Sequence, residues 1–372
     1  MIIAAMYEKD ETRVAITPNV IKAYVKLGFG IIIEQNAGLL SGFKDIDYEN
    51  AGATIVKNKA QLLKNTDVLV CINEPNLTDL KKLPSNALLI CPVDSSTSPC
   101  LHQCVEQGIS VFSMNHVPRI SRAQSIDSLS SQANLAGYRA VIEAVSHFKR
   151  AIPMMMTAAG MIHPAKVLVL GAGVAGLQAI ATAKRLGAIV YAFDVRAAAK
   201  EQVESLNAEF IEVRHTGNNE TASGYAKALS TEEQHLQSAL IDEYAELADL
   251  VICTALIPGK KAPMLLSKNA VEHMKPGSVI VDMATARGGN CEVSVRDKII
   301  QHQDVTVIGY SNMAGLVPAT ASELFANNIV QLIKLFASTP ATLTFNENDD
   351  IIQQAMLCHQ GKSLPFQTIK EN

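Results

Sequence analysis

Residues 166–176 read Lys-Val-Leu-Val-Leu-Gly-Ala-Gly-Val-Ala-Gly, an Ala-rich segment follows to Gly187, and residues 188–196 close the stretch with Ala-Ile-Val-Tyr-Ala-Phe-Asp-Val-Arg. Residues 167–170 form a short apolar run, as expected of a strand buried on both faces. Gly171, Gly173 and Gly176 stand in the G-x-G-x-x-G spacing. Residues 177–186 are good helix formers, and Gly187 is placed to end that helix. A second strand follows and ends at Asp194. Each part has a physical task. Gly171 makes the strand-to-helix turn, Gly173 lets backbone approach a pyrophosphate, and Gly176 lets helix and strand pack closely. Val174 and Ala175 open the helix, whose unpaired N–H groups and positive dipole end suit phosphates. Asp194 stands where a carboxylate accepts from both hydroxyls of an adenine ribose, with Val195 and Arg196 beside it. A 2′-phosphate would be repelled there, which favours NAD(H) over NADP(H), although Arg196 is a cation that could accommodate such a phosphate.

The chain of 372 residues has room for two domains of ordinary size, and 48% hydrophobic residues are enough to fill two cores. The net charge is −4, with acids and bases mixed and no basic stripe, which excludes a nucleic-acid binder. The N-terminus reads as a strand rather than a signal peptide, and no apolar run is long enough to insert directly into a membrane. The seven cysteines include no C-x-x-C pair. Cys71, Cys91 and Cys253 lie in apolar runs and read as buried reduced thiols of a cytoplasmic protein. Cys100 and Cys104 share a helix face from which His102 points away, so no metal site is expected.

Residues 1–114 alternate strands (2–6, 31–34, 68–72, 88–93 and 111–114) with helical patterns such as 19–27 and 101–106, a second α/β unit without a glycine fingerprint. A polar stretch from Pro118 precedes a long helical pattern at 134–150, and residues 158–164 read as a lead into the nucleotide-binding unit. Strands are expected again at 210–213, 250–255, 278–284 and 305–309. The polar insertion at 217–230, which carries Tyr225, reads as a mobile loop. A last long helix at 319–336 returns the chain toward the first unit. The expected fold is therefore α/β, two Rossmann-like domains with parallel sheets. The N-terminal domain is discontinuous (1–130 plus 318–372), and residues 131–317 form the NAD(H)-binding domain with the linking helix.

Several stretches together resemble one family, that of alanine dehydrogenase and the nucleotide-binding α subunit of proton-translocating NAD(P) transhydrogenase. They are Glu-Thr-Arg-Val-Ala-Ile-Thr-Pro at 11–18, the unit at 171–196, Thr-Ala-Leu-Ile-Pro-Gly at 254–259, Met-Lys-Pro-Gly-Ser-Val-Ile-Val-Asp at 274–282 and Gly-Gly-Asn at 288–290. The resemblance implies that Thr254, Ala255 and Leu256 also line the cofactor. In the alanine dehydrogenases a Lys before Glu-Pro holds the substrate carboxylate and a His after the next strand is the acid/base. Here Asn73 precedes Glu74-Pro75 and Asp94 stands at the second place. Asn supplies no cation, and an exposed Asp is a poor proton donor near neutral pH. Arg13, the other substrate-carboxylate residue of that branch, remains; it also reads as an ordinary ion-pair arginine.

The transhydrogenase branch has its own signature, and it is present. Arg119, Gln124 and Asp127 match the Arg-Gln-Asp loop of that NAD(H)-binding domain, and Ser130 follows at the family's spacing. Arg119 can donate to a nicotinamide carboxamide oxygen, Gln124 can donate and accept at the ring amide and ribose, Asp127 can orient Arg119 or a ribose hydroxyl, and Ser130 can bond the carboxamide. Ser-Gly-Tyr-Ala-Lys at 223–227 resembles the family's mobile loop, with Tyr225 closing over the nucleotide. The pattern breaks at Ala286, where the family carries an acid. The resemblance implies an oxidoreductase and translocase subunit, homodimeric, cytoplasmic and peripheral on the inner membrane. NAD(H) would lie in the cleft between its domains and NADP(H) on a partner β subunit, with a membrane α2-type subunit as the other partner. The end at Asn372 suits an α subunit split into two polypeptides. An amino-acid dehydrogenase and a catalytically silent NAD-binding regulator are the alternatives.

Overall fold

In the computed structural model, residues 1–213, 231–257 and 260–364 are described. The chain divides into two compact units, Met1–Gln132 with Gly315–Asn372, and Ala133–Ala314. The first unit runs β1 (Ile2–Ala5), α1 (Pro18–Lys26), β2 (Gly30–Glu34), α2 (Asp45–Ala51), β3 (Thr54–Val56), α3 (Lys59–Lys64), β4 (Val68–Val70), α4 (Leu77–Leu80), β5 (Leu88–Cys91), α5 (Pro99–Gln107) and β6 (Ser110–Ser113). The division falls within α6 (Ser128–His147). The second unit continues with a hairpin, β7 (Met155–Thr157) and β8 (Gly160–Ile162), then β9 (Lys166–Leu170), α7 (Val174–Arg185), β10 (Ile189–Phe193), α8 (Ala199–Ser205) and β11 (Glu209–Phe210). It is completed by α9 (Thr231–Leu247), β12 (Leu250–Cys253), α10 (Lys268–His273), β13 (Val279–Asp282), β14 (Ile299–His302) and β15 (Val305–Ile308). The chain then re-enters the first unit with α11 (Pro318–Phe336), β16 (Ala337–Thr339), β17 (Thr342–Leu343), α12 (Asp350–Ala355), β18 (Met356–His359) and β19 (Lys362–Ser363).

Both main sheets share one plan. The first has the order β19-β18-β6-β5-β4-β1-β2-β3 and the second β11-β10-β9-β12-β13-β15-β14. Leaving out the antiparallel strands β18, β19 and β14, each is a six-strand parallel sheet. Both follow the doubly wound order 3-2-1-4-5-6, and the first βα turn of such a sheet is the usual nucleotide site. The expectation of parallel sheets therefore holds for the central strands and is corrected at the edges. The central strands are buried along their whole length, as the Val-Leu-Val of β4 and the Leu-Val-Ile-Cys of β12 lead one to expect. Helices cover both faces of each sheet. In the first unit α1, α11 and α12 pack on one face and α3, α4 and α5 on the other. Cys71, Cys91, Cys100, Cys104 and Cys358 are buried in the latter layer, and all seven cysteines are free thiols.

Three local expectations change. The helix expected to begin at 134 begins at Ser128, because the Asp127 carboxylate accepts from the Ser130 N–H and so satisfies a first-turn donor. Residues 158–164 are no plain lead-in: they include most of the β7–β8 hairpin, whose strand residues are all exposed, Met156 at 79%. The strand expected at 210–213 is the two-residue β11.

Candidate functional site

The glycine turn is built as its spacing requires. Gly171 has φ +101°, and a Cβ there would lie 2.8 Å from the Thr254 hydroxyl and 2.9 Å from the Ala255 nitrogen. A Cβ on Gly176 would fall 1.8 Å from the Gly171 carbonyl oxygen, so only glycine lets α7 start this close to β9. Gly173 differs from both: nothing lies within 4 Å of the Cβ it lacks. It is also the N-cap of α7 and supplies no side chain to the first-turn N–H groups. A pyrophosphate fits this cradle on size, on hydrogen bonding and on the helix dipole. α6 backs it: a Cβ on Gly137 would meet the Ala175 carbonyl at 2.0 Å, a close approach that spacing alone did not reveal.

Thr254 and Ala255 lie against the turn. The Thr254 hydroxyl donates to the Gly171 carbonyl at 2.9 Å, and the buried Asn290 amide donates to the Ala255 carbonyl at 2.9 Å and the Pro263 carbonyl at 2.8 Å. Asn290 was visible in the sequence only as part of a motif; its work is to tie down the connection after β12. Leu256 is exposed beside them, while Pro258 and Gly259 lie outside the described residues. Asp194 caps the arrangement. One carboxylate oxygen accepts from the Ala172 N–H at 2.7 Å and from Arg196 Nη2 at 3.0 Å; the other accepts from the Arg196 N–H at 2.9 Å and its Nε at 3.0 Å. Burial raises this carboxyl, but the Arg196 and Ala172 bonds outweigh it and hold the group below the usual aspartate range. Four lone-pair positions are thus in use, two of them by the half-exposed Arg196 guanidinium. Val195 is exposed next to it.

In the first unit, Arg119 and Gln124 are exposed and make no hydrogen bond through their side chains among the described residues. Asp127 and Ser130 are half-buried and bonded to each other: the Ser130 hydroxyl donates at 2.6 Å and its N–H at 2.9 Å. Asp127 therefore caps α6 rather than bonding Arg119, and the Ser130 oxygen, its proton committed, is left with lone pairs. Tyr225 and its segment lie outside the described residues. Arg13 is paired: Nε and Nη2 donate to the two Glu11 oxygens at 2.9 Å each, and Nη1 donates to Gln132 at 2.8 Å. Asn73 donates to Glu8 at 3.2 Å and to Glu11 at 3.1 Å. Asp94 accepts from the Asn115 amide. Burial pushes the Glu8 carboxyl up to about 7, against the lowering pull of the Ile72 and Asn73 N–H bonds and helped by the Glu11 charge. Burial works the same way on Glu11, but the Arg13 bonds and charge overcome it and hold that group at about 2.

A doubly wound sheet whose first βα turn is a three-glycine cradle, closed by an acid at the end of the second strand, defines a dinucleotide-binding α/β protein. The chain matches the alanine dehydrogenase/PNT N-terminal domain over residues 3–136 and the C-terminal domain of the same family over 140–365, and it belongs to that family. An NAD(P) transhydrogenase subunit alpha polypeptide of Rhodospirillum rubrum is 47% identical over 360 residues, 94% of each chain. The alanine dehydrogenase of Mycolicibacterium smegmatis is 27% identical over 372 residues, covering 98% of this chain and 94% of its own. The crystal structure of transhydrogenase from Sinorhizobium meliloti superimposes with a TM-score of 0.85 at 40% identity, covering 98% of both chains.

Proposed function

We propose that this chain is the NAD(H)-binding subunit of a proton-translocating transhydrogenase. The observation that carries the choice within the family is the state of Arg13. Its guanidinium is forked onto Glu11 and bonded to Gln132, and Asn73 is bonded to Glu8 and Glu11, so this corner offers no cation to the carboxylate of a 2-oxo acid. Asp94, bonded to Asn115, stands where an acid/base would be needed. A hydride that passes between two nicotinamides needs neither group.

Bound NADH supplies the hydride, and NADP+ held by a partner β subunit receives it. The residues of this chain bind and orient. The turn at 171–176 and Asp194 hold the pyrophosphate and adenosine, with Thr254, Ala255 and Leu256 beside them. Arg119 donates to the carboxamide oxygen, the Ser130 lone pairs accept from the carboxamide N–H, Asp127 fixes Ser130, and Gln124 reaches the ring amide and ribose. Tyr225 is assigned to closing over the nucleotide. No helix among the described residues is long and apolar enough to cross a membrane. Proton translocation is assigned to the membrane α2-type and β subunits, on which a cytoplasmic homodimer of this chain docks peripherally.

The deciding experiment compares two reactions of the purified chain. NADH oxidation should appear when NADP+-loaded β partner is added. Pyruvate and ammonia with NADH should give no turnover; a rate of about 1 per second or more would overturn the proposal in favour of an amino-acid dehydrogenase.

A further inference from the structure

Arg119 and Gln124 are exposed, so where their side chains sit depends on how firmly the backbone beneath them is held. Residues 121–131, which carry Gln124, Asp127 and Ser130, are held by one stretch of α11. Ala123 and Ile126 point inward and are fully buried in the cluster that contains Phe325, Ile329 and Leu332. Among these α11 positions stands a polar residue, Asn328, only 8% exposed. Its Nδ2 donates to the Ser125 carbonyl at 2.8 Å, and its Oδ1 accepts from the Ser131 hydroxyl at 2.8 Å, a proton shared with the Ser128 carbonyl at 3.0 Å. An amide carries donor and acceptor side by side. Here both are used on one short stretch, one bond before Asp127 and one after Ser130. A further tie among the described residues, Arg122 to Asp349, is an exposed ion pair and holds the segment more loosely. An apolar residue at 328 would keep the packing and leave the Ser125 carbonyl without its partner, so the amide does something that burial alone does not.

We infer that Asn328 is a positioning residue for hydride transfer. It fixes residues 124–130 so that the groups meeting the nicotinamide end keep their spacing, without itself touching the nucleotide. The inference rests on the function proposed above. A misplacement of about 1 Å at reacting groups can cost about a hundredfold in rate while the adenosine and pyrophosphate anchors stay intact.

The test is Asn328→Ala, with Ser131→Ala as a milder variant that removes one of the two bonds. Single-turnover hydride transfer from saturating NADH to NADP+-loaded β partner is read beside NADH titration. The expected result is a rate loss of about thirtyfold to a hundredfold for Asn328→Ala. Ser131→Ala should lose less, and NADH affinity should stay within about threefold for both. An unchanged rate, or rate and affinity falling in equal proportion, overturns the inference; if Asn328→Ala does not fold, Ser131→Ala decides. If the unaltered chain transfers no hydride, the function proposal falls. The positioning role is then read from amide hydrogen exchange across residues 121–131, faster in Asn328→Ala if the inference holds and unchanged if it does not.

Discussion

The two units share a sheet plan, and their first βα turns align strand for strand. β1 pairs with β2 so that Ala5 lies opposite Ile33, and β9 pairs with β10 so that Leu170 lies opposite Phe193. Counting on from these pairs, Glu34 takes the place of Asp194 and Tyr7 that of Ala172. The same bond is present in both: the Tyr7 N–H donates to Glu34 at 2.8 Å, and the Ala172 N–H donates to Asp194 at 2.7 Å. Each acid also carries a cation, Lys59 at 3.5 Å from Glu34 and Arg196 at 3.0 Å from Asp194. The next position separates the units. Gly173 has nothing within 4 Å of its missing Cβ, whereas its counterpart Glu8 places a carboxylate on the N–H groups of Ile72 at 2.7 Å and Asn73 at 2.8 Å, just past the fourth strand. One turn leaves room for a bound anion. The other holds a carboxyl group of its own, and around it the chain has packed Glu11, Arg13 and Asn73. A shared topology thus makes a place for a phosphate, and a single side chain decides whether that place is open.

The comparison can be broken from either side. The largest effect is expected at Glu11→Ala, which leaves the largely covered guanidinium of Arg13 without its carboxylate; denaturant unfolding should show a loss of about 3 kcal/mol. Gly173→Glu copies the first unit's plug into the second. The backbone there accepts a side chain without strain, so stability should be kept while NADH affinity falls at least a hundredfold, about 2.7 kcal/mol or more, in calorimetry. A variant that still bound NADH normally would show that Glu8 and Gly173 are not counterparts. The smallest effect belongs to Glu8 itself. Its carboxyl ionises near 4.5 when unfolded and at about 7 when folded. Between those values the native chain holds the extra proton, so stability is fullest below about 4.5 and declines as pH rises through about 7. Partial solvent screening limits this to about 1 kcal/mol. Glu8→Gln should flatten the decline between about pH 5 and 8 in thermal scans; an unchanged slope would place the proton elsewhere.

What could be read in advance follows from where the physics is local. The glycine spacing, the apolar strands and the acid at 194 act over a few residues, so the second unit and the geometry of its glycine turn were legible. The first unit's alternation was equally clear and marked it as a second Rossmann-like domain, but the bond-for-bond match of the two turns was not legible. The Tyr7–Glu34 bond joins residues on different strands, and no glycine marks the turn. The polar groups at 119, 124, 127 and 130 were legible as a motif. Their mutual arrangement was not, because Asp127 read as orienting Arg119 or a ribose hydroxyl, and only the fold of α6 shows it bonded to Ser130. Asn328 was hidden for a different reason: on an otherwise apolar helix face it gave no signal until Ser125 and Ser131 were seen beside it. The β7–β8 hairpin was missed because residues 158–164 read only as a lead into the next unit, and its strands, all exposed, carry no buried face to signal them.

The sheet margins bear on how copies of this chain could meet. Among the described residues, one main sheet ends in β3 and β19 and the other in β11 and β14. β3, β11 and β19 are three, two and two residues long, and β14 shows alternately exposed and half-buried positions with an exposed Gln301 on its margin. Short or polar margins offer few free backbone groups in a row, the usual safeguard against one chain adding a strand to another. Self-association by continuing either main sheet is therefore disfavoured, and side-chain surfaces are left as the means by which identical chains would recognise each other.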